Sequence, residues 1–401
     1  GVFPMTDEQK EKVATQEAAN NELYLQKTNN LGSLDNLVKM ADDYRQGIRK
    51  EVWATGFPNL DAMLDGGLHG SQLVCIGAIS SLGKTSFVLQ AATQMAEQGR
   101  DVLIFSLEMS RDELNAKTVS RYSHILKEED FYSKARIFND ECRFTTNEIL
   151  KGDIRADDAD SLEFFTRSIE RAKAIAPHTF IYVGNNDVSV DKVQEVVHRH
   201  CAATGRKPAV ILDYLQILNP SEEAVKKHYD VRRSTNDDIT KLKVLAREYD
   251  IPVVVISAFN RSSYTDPVSM SSFRESSGIE YSADVLMGLQ YKGMDYGNSA
   301  HYTQEGKHYA NGRESEADHY TRVIKLFEEM QSAAAKGGSQ PIELKLLKNR
   351  NGSRGTIQFE FIPKYNYFSE PKSDVSTGVK SAPAKMSSRK PSKIISDVLE
   401  L

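Results

Sequence analysis

The segment from Gln72 to Gly99 constrains the fold of this chain more than any other. An apolar run, Gln72-Leu73-Val74-Cys75-Ile76, leads into Ala78-Ile79-Ser80-Ser81-Leu82-Gly83-Lys84-Thr85. Val88, Ala91, Ala92 and Met95 then recur at helical spacing until Gly99. A strand, a loop ending in Gly-Lys-Thr and a helix, in that order, make a phosphate-binding loop, here with Ala78 in place of its first glycine. The residue types follow from the chemistry. Backbone N–H groups from Ser81 to Ser86 would cradle phosphate at the positive end of the helix. Gly83 lets the chain approach closely, Lys84 reaches the β- and γ-phosphates of ATP, and Thr85 ligates Mg²⁺.

The same alternation continues from Trp53 to about Tyr291. Short runs rich in β-branched residues, Val102–Phe105, Phe180–Val183, Ala209–Leu212 and Ile251–Ile256, read as strands buried on both faces. Between them lie helical stripes: Leu162, Phe165 and Ile169; Val193, Val196, Val197 and Cys201, with Ser189 as N-cap; and Ile239, Leu242, Leu245 and Tyr249. Strands alternating with helices predict an α/β fold, a doubly wound, mostly parallel sheet flanked by helices. With 401 residues and 40% apolar content, a core of that size can be filled.

Composition excludes several classes. Cys75, Cys142 and Cys201 lack C-x-x-C spacing, which argues against a zinc ribbon or disulfide scaffold and fits a reducing, cytoplasmic setting. No apolar run reaches membrane-spanning length, and no basic-then-apolar leader opens the chain, so neither a membrane contact nor secretion is expected. A net charge of -5 leaves nucleic-acid binding to a local basic groove.

Further residues fall where a nucleotide site would need them. Glu108 follows a strand in Phe105-Ser106-Leu107-Glu108-Met109, at the edge where open α/β sheets bind ligands. A carboxylate there can orient or deprotonate a water attacking the γ-phosphate. Asp213 ends the Ala209–Leu212 run in the pattern of a Walker B strand and would hold Mg²⁺. Polar groups in Ser257-Ala258-Phe259-Asn260-Arg261 could sense the γ-phosphate. Ser272–Gly278 reads as a polar loop, either merely solvated or setting Arg274 and backbone amides on nucleic-acid phosphate. In Lys348-Asn349-Arg350-Asn351-Gly352 two cations at alternate positions project to one side beyond a strand. They form either a basic surface turn or, in an oligomer, a reach to a neighbour's ATP, with Arg350 as the finger. His198, His200 and Cys201 read as a surface helix, not a metal site.

In order and spacing these segments resemble the replicative DNA helicase family typified by DnaB, in its RecA-like C-terminal motor, over roughly residues 53 to 368. The resemblance starts at Thr55–Asp61 and Gly66–Gly70. It continues through the phosphate loop, Phe105–Ser110, Leu212–Gln216, Asn260-Arg261, Arg274-Glu275-Ser276 and Lys348–Gly352. It implies a ring-shaped homo-hexamer hydrolysing ATP at subunit interfaces. Lys84, Thr85, Glu108 and Asp213 would act from one subunit, Lys348 and Arg350 from the next. Arg274, Glu275 and Gly278 would face single-stranded DNA, followed 5′ to 3′ with duplex unwinding, and a primase or helicase loader would be a further partner. The chain departs from the family at Ala258, where glutamine is common, and at Ser277, where the loop glycine falls one place later, at Gly278. A RecA-fold ATPase of the RadA or KaiC type, or a DNA-binding ring that uses ATP only for assembly, shares part of the pattern.

Three regions follow. Residues 1–52 are polar, with one amphipathic helix (Leu34, Leu37, Val38, Ala41) expected to pack on its own domain or to latch a neighbouring subunit. Residues 53–368 form the ATPase, with a polar insertion at 292–340 that closes in a short helix. After it, strands at Ile342–Leu347 and Thr356–Ile362 are joined through Asn351-Gly352. Residues 369–401 are Ser/Pro/Lys-rich and read as a disordered basic tail.

Overall fold

A computed structural model of the chain describes residues 7–28, 31–133, 142–184, 188–213, 215, 218–273, 276–296, 298–302, 308–313 and 315–371. In chain order the elements are α1 (Asp7–Thr28), α2 (Leu31–Arg45), β1 (Val52–Trp53), α3 (Pro58–Met63), β2 (Leu68–His69), β3 (Leu73–Ala78), α4 (Lys84–Glu97), β4 (Val102–Ser106), α5 (Arg111–Ser133), α6 (Thr146–Lys151), α7 (Ala159–Ile175), β5 (Thr179–Val183), α8 (Val190–Thr204) and β6 (Ala209–Asp213). They continue with α9 (Glu222–Lys226), α10 (Val231–Tyr249), β7 (Val253–Ala258), α11 (Ser276–Ser282), β8 (Val285–Tyr291), β9 (Asn298–Tyr302), β10 (His308–Arg313), α12 (Glu316–Ala335), β11 (Gln340–Asn349), β12 (Gly355–Ile362) and β13 (Tyr367–Ser369).

Nine strands form one sheet in the order β13-β12-β11-β8-β3-β7-β6-β4-β5. From β8 to β5 the neighbours run parallel; β11, β12 and β13 add an antiparallel flank. This is the mostly parallel α/β sheet expected from the alternation. β3, β4 and β6 are buried throughout, as strands covered on both faces must be. β8, the other neighbour of β3, escapes sequence reading because Gly288 and Gln290 interrupt its apolar run. Gln290 is nonetheless satisfied: its amide donates to Glu343 Oε2 (2.9 Å) and its carbonyl accepts from Val268 N (2.8 Å).

The helices depart from expectation in instructive ways. α1 carries no apolar stripe, so periodicity gives it no signal. The stripe of α2 is real, with Leu34, Leu37 and Val38 exposed. α7 buries Ser161, Phe164, Ser168 and Ile175, one position round from the expected Leu162, Phe165, Ile169 stripe, and Leu162 is exposed. Ser168 Oγ donates to Phe164 O (2.7 Å), so a small hydroxyl sits in the core already satisfied. His200 is buried, not on a surface: its ring meets the Asp101 carboxylate (3.0 Å), which His178 (2.8 Å) and Arg206 (2.9 Å) also share. Among the described residues no group of three or more His, Cys, Asp or Glu could hold a metal, and no helix is long and apolar enough to cross a membrane. α12, the closing helix of the 292–340 insertion, has 20 residues and is longer than expected. The described unit also runs past residue 368, where the ATPase was expected to end. The Glu370 carboxylate accepts from Asn59 N (2.9 Å) and Leu60 N (3.1 Å), capping α3. The tail beyond Pro371 lies outside the described residues.

Candidate nucleotide site

β3 ends at Ala78 and α4 begins at Lys84, so five residues turn the chain from the carboxyl edge of the sheet onto its face. Ser81 (φ 65°) and Gly83 (φ 85°) both take left-handed backbone. Such residues gather successive N–H groups into an anion-sized concavity. A Cβ at Gly83 would lie 2.7 Å from Phe361 Cζ and 3.1 Å from Phe368 Cζ. Glycine is therefore demanded by the backbone and by the aromatic floor beneath it. Lys84 curls back over the loop, donating to the carbonyls of Ala78 (3.2 Å) and Ile79 (3.0 Å). Burial pulls its pKa down, while the charges of Asp213 and Glu108 push it back up.

Asp213 ends β6, buried, and accepts a hydrogen bond from the Thr85 hydroxyl. Burial raises its carboxyl above the usual range; the Thr85 bond opposes this, Glu108 adds to it, and Lys84 and Lys117 oppose it. Glu108 is exposed just past β4, whose Ser106 is the register partner of Asp213. Leu107 N donates to Asp213 O (3.0 Å) and Ser106 Oγ to Met109 O (2.6 Å), which fixes the turn that presents Glu108. The Thr85 hydroxyl and the Asp213 carboxylate, whose charge burial and Glu108 disfavour, form a hard-oxygen pair that suits Mg²⁺.

Sequence reasoning missed Lys117 and Asn366. Lys117 Nζ donates to Asn366 Oδ1 (2.8 Å), and Ser86 Oγ donates to the same oxygen (3.1 Å). Asn366 holds a left-handed φ of 52° and donates from Nδ2 to Thr146 Oγ1 (2.9 Å). A second lysine thus stands beside the phosphate-loop helix, lining a 710 Å³ cleft with Glu113, Thr146 and Lys364. Nothing local in the sequence marks this pair; the fold joins α5 to the chain after β12.

The segment expected to be a polar loop, Ser272–Gly278, is folded at its described residues. Met270–Ser272 forms a 3₁₀ turn, Phe273 is wholly buried in a bridge with Phe259, and α11 begins at Ser276. Gly278 is a helical residue whose Cβ would lie 2.0 Å from Asn236 Oδ1, so it marks close packing of α11 on α10. Arg274 and Glu275 lie outside the described residues. Asn260 is occupied in closing this excursion: its amide N–H donates to Ser272 O (2.8 Å) and its Nδ2 to Phe273 O (3.2 Å).

Lys348 and Arg350 stand together, near enough that Arg350 joins burial in lowering the pKa of Lys348. In β11, Gln340, Ile342, Leu344 and Leu346 are buried. A bulge between Leu346 and Lys348 breaks that row and turns Lys348 out of it. Lys348 Nζ donates to Glu280 O (2.6 Å) and Arg350 Nη1 to Asp284 Oδ1 (3.2 Å). Asn349 pairs with Val285, the first residue of β8, which pairs with Val74 near the start of β3. The cations therefore lie at the amino edge of the parallel strands, roughly 15 Å along the strand direction from Ala78. They are remote from this chain's own phosphate loop.

A profile described as the DnaB-like helicase C terminal domain matches residues 53–370. Among curated relatives, the replicative DNA helicase DnaB of Helicobacter pylori is 27% identical over 311 residues, covering 77% of this chain and 57% of the relative. DnaB of Geobacillus stearothermophilus is 27% identical over 319 residues, covering 78% and 55%. The chain spans a little over half the length of these relatives. Two solved structures share the RecA-like fold. One is an ATPase domain, with a TM-score of 0.62 and 21% identity over 84% of this chain and 98% of that one. The other is a DnaB-like replicative helicase described with its interactions with primase, with a TM-score of 0.59 and 22% identity over 84% and 66%. The matched stretch takes in the phosphate loop, the Walker B strand and the distant cation pair, and the chain belongs to the DnaB-like helicase C-terminal domain family.

Proposed function

We propose that this chain is an ATP-driven motor that moves 5′ to 3′ along single-stranded DNA and unwinds duplex as a ring of identical subunits. The observation that carries the reading is the division of the site. Lys84, Thr85, Glu108 and Asp213 converge at the carboxyl edge of the sheet, while Lys348 and Arg350 stand at the amino edge. Cations so placed are of use to a neighbour's nucleotide rather than to their own.

In this reading Lys84 and the amides from Ser81 to Ser86 bind the ATP phosphates, and Thr85 with Asp213 holds Mg²⁺. The ion they would hold would supply positive charge against the phosphates. Glu108, exposed and fixed by the Ser106–Met109 turn, orients the attacking water and takes its proton. Arg350 from the adjacent subunit neutralises charge that develops on the transferred phosphoryl group. The segment around Arg274, Glu275 and Gly278 faces DNA, the exposed stripe of α2 seats on a neighbour, and a primase or loader meets the ring. Because overall charge is negative, DNA affinity resides in a local basic channel and falls steeply with salt.

The test is strand displacement on a forked duplex with ATP and Mg²⁺, comparing the chain with Glu108→Ala. Displacement that requires a 5′ tail and vanishes in the variant supports the motor. ATP turnover without displacement favours a RecA-fold ATPase of the RadA or KaiC type. Absence of turnover removes the catalytic roles altogether.

A further inference from the structure

We infer that Tyr264 and His319 form a relay coupling the nucleotide state of the phosphate loop to the unit inserted between β8 and β11. The inference rests on the reading of that loop as a nucleotide site.

Tyr264 sits in the excursion from Phe259 to Phe273, which is pinned to the sheet at both ends. Gly77 and Gly288 are register partners on β3 and β8. A Cβ at Gly77 would lie 2.3 Å from Phe259 Cε1 and 2.5 Å from Phe273 Cε1, and one at Gly288 would lie 2.2 Å from Val268 Cγ1. Two adjacent glycines thus leave a bare patch that the excursion fills, one residue before the phosphate loop begins. Between these pins the Tyr264 hydroxyl meets Ser80 Oγ at 3.1 Å, on the loop itself.

The next residue is tied to the insertion. His319, buried in the first turn of α12, donates from Nε2 to Thr265 O (3.0 Å). Its Nδ1 faces Arg322 Nη2 (3.2 Å), a donor, so the ring carries its proton on Nε2. The ring stacks on Tyr296 at 3.9 Å with planes 19° apart. Arg322 Nη2 donates to Asp295 O (2.8 Å), and the Asp295 carboxylate accepts from Lys345 on β11 and from Gln290 on β8 (3.2 Å). The contacts form one line: Ser80, Tyr264, the Thr265 carbonyl, His319, α12.

The two ends of the line differ in a way that suits a relay. Ser80 and the Tyr264 hydroxyl meet in the open, on the loop whose amides would hold phosphate. His319 is closed in by Tyr296 and Arg322, so a shift at Tyr264 is passed to α12 rather than absorbed. A nucleotide moves such an equilibrium only by its differential affinity for the two loop states. One hydrogen bond of this kind supports a coupling of about two- to tenfold.

The experiment is hydrogen exchange of α12 with and without a non-hydrolysable ATP analogue and Mg²⁺, in the full chain and in Tyr264→Phe. Nucleotide affinity is measured directly in both by titration with a fluorescent nucleotide. In the wild type, nucleotide should change α12 exchange by about two- to tenfold. Tyr264→Phe should lose that change while affinity stays within about twofold. Ser80→Ala removes the same contact from the other side and should lose the same response, with the double variant no worse than either single. Equal α12 responses in wild type and Tyr264→Phe, no response in a wild type that binds nucleotide, or additive losses in the double variant would each overturn the relay. A wild type that binds no nucleotide overturns the site reading and the relay together, and the titration identifies that case.

Discussion

Replacing Gly83 with alanine tests whether an aromatic floor, and not the loop backbone alone, sets the phosphate loop. Two costs combine. At φ 85° a Cβ costs about 1–2 kcal/mol from backbone strain. The new methyl would also meet Phe361 Cζ at 2.7 Å and Cε1 at 2.8 Å. Phe361 has little room to turn away, because it stacks on Phe368 at 4.1 Å with planes 14° apart, and Phe368 stands edge-on to Phe87 at 5.2 Å. Overpacking of this kind costs about 1–3 kcal/mol. Gly83→Ala should therefore lose about 2–5 kcal/mol in urea unfolding. Phe361→Leu removes the offending ring edge, so the double variant should be about 1–2 kcal/mol more stable than the two single losses predict. The backbone part should remain, and nucleotide affinity should recover only in part. Strictly additive losses would refute the floor, since the methyl and the ring would then not be meeting.

Two further outcomes follow from the same geometry. Arg350→Ala subunits mixed with wild type should depress ATP turnover out of proportion to their fraction, because each deprives a neighbour; a linear decline would argue that Arg350 acts within its own chain. The pH dependence should hide two opposing slopes. His124, buried against Tyr365 and Tyr367 and facing Arg143, is pushed down to about 4, first by burial and then by that arginine. The unfolded chain takes the proton near 6.5, so this residue's part of stability falls as pH drops from 6.5 towards 4, by about 3 kcal/mol in all. Asp238 is pushed up to about 7 by burial and the charge of Asp237. Its folded form keeps a proton that the unfolded chain releases above 3.8, so its part falls as pH climbs from 3.8 to 7. Between pH 4 and 6.5 the two contributions oppose. Stability of His124→Asn should then decline with rising pH and that of Asp238→Asn should climb; parallel profiles would show that neither group titrates as argued.

What was legible in the sequence was the placement of candidate residues that are local in the chain. The phosphate loop, the carboxylate after β4 and the aspartate closing β6 each sit within a few residues of the strand that positions them, so residue type and strand end suffice. α7 was misphased because Ser161 and Ser168 line its buried face, and no hydrophobicity scale ranks serine as core. β8 was passed over because Gly288 and Gln290, which break its pattern, are there to receive Val268 and to bond Glu343. Lys117 and Asn366 were invisible because their hydrogen bond joins segments that meet only in the folded chain.

The divided site was legible as residues but not as geometry, and the sheet explains why. Parallel strands all deliver their carboxyl ends to one edge, which is why Thr85, Glu108 and Asp213 meet although they follow three different strands. β11 runs antiparallel to β8, so its own carboxyl end must arrive at the opposite edge. Lys348, next to last in β11, and Arg350, just past its end, are thereby committed to the edge farthest from this chain's own phosphate loop. The one-residue bulge before Lys348 then turns its side chain out of the buried row. Strand direction and a single inserted residue, neither of which residue types announce, set two ordinary cations at the edge of the sheet opposite this chain's own phosphate loop.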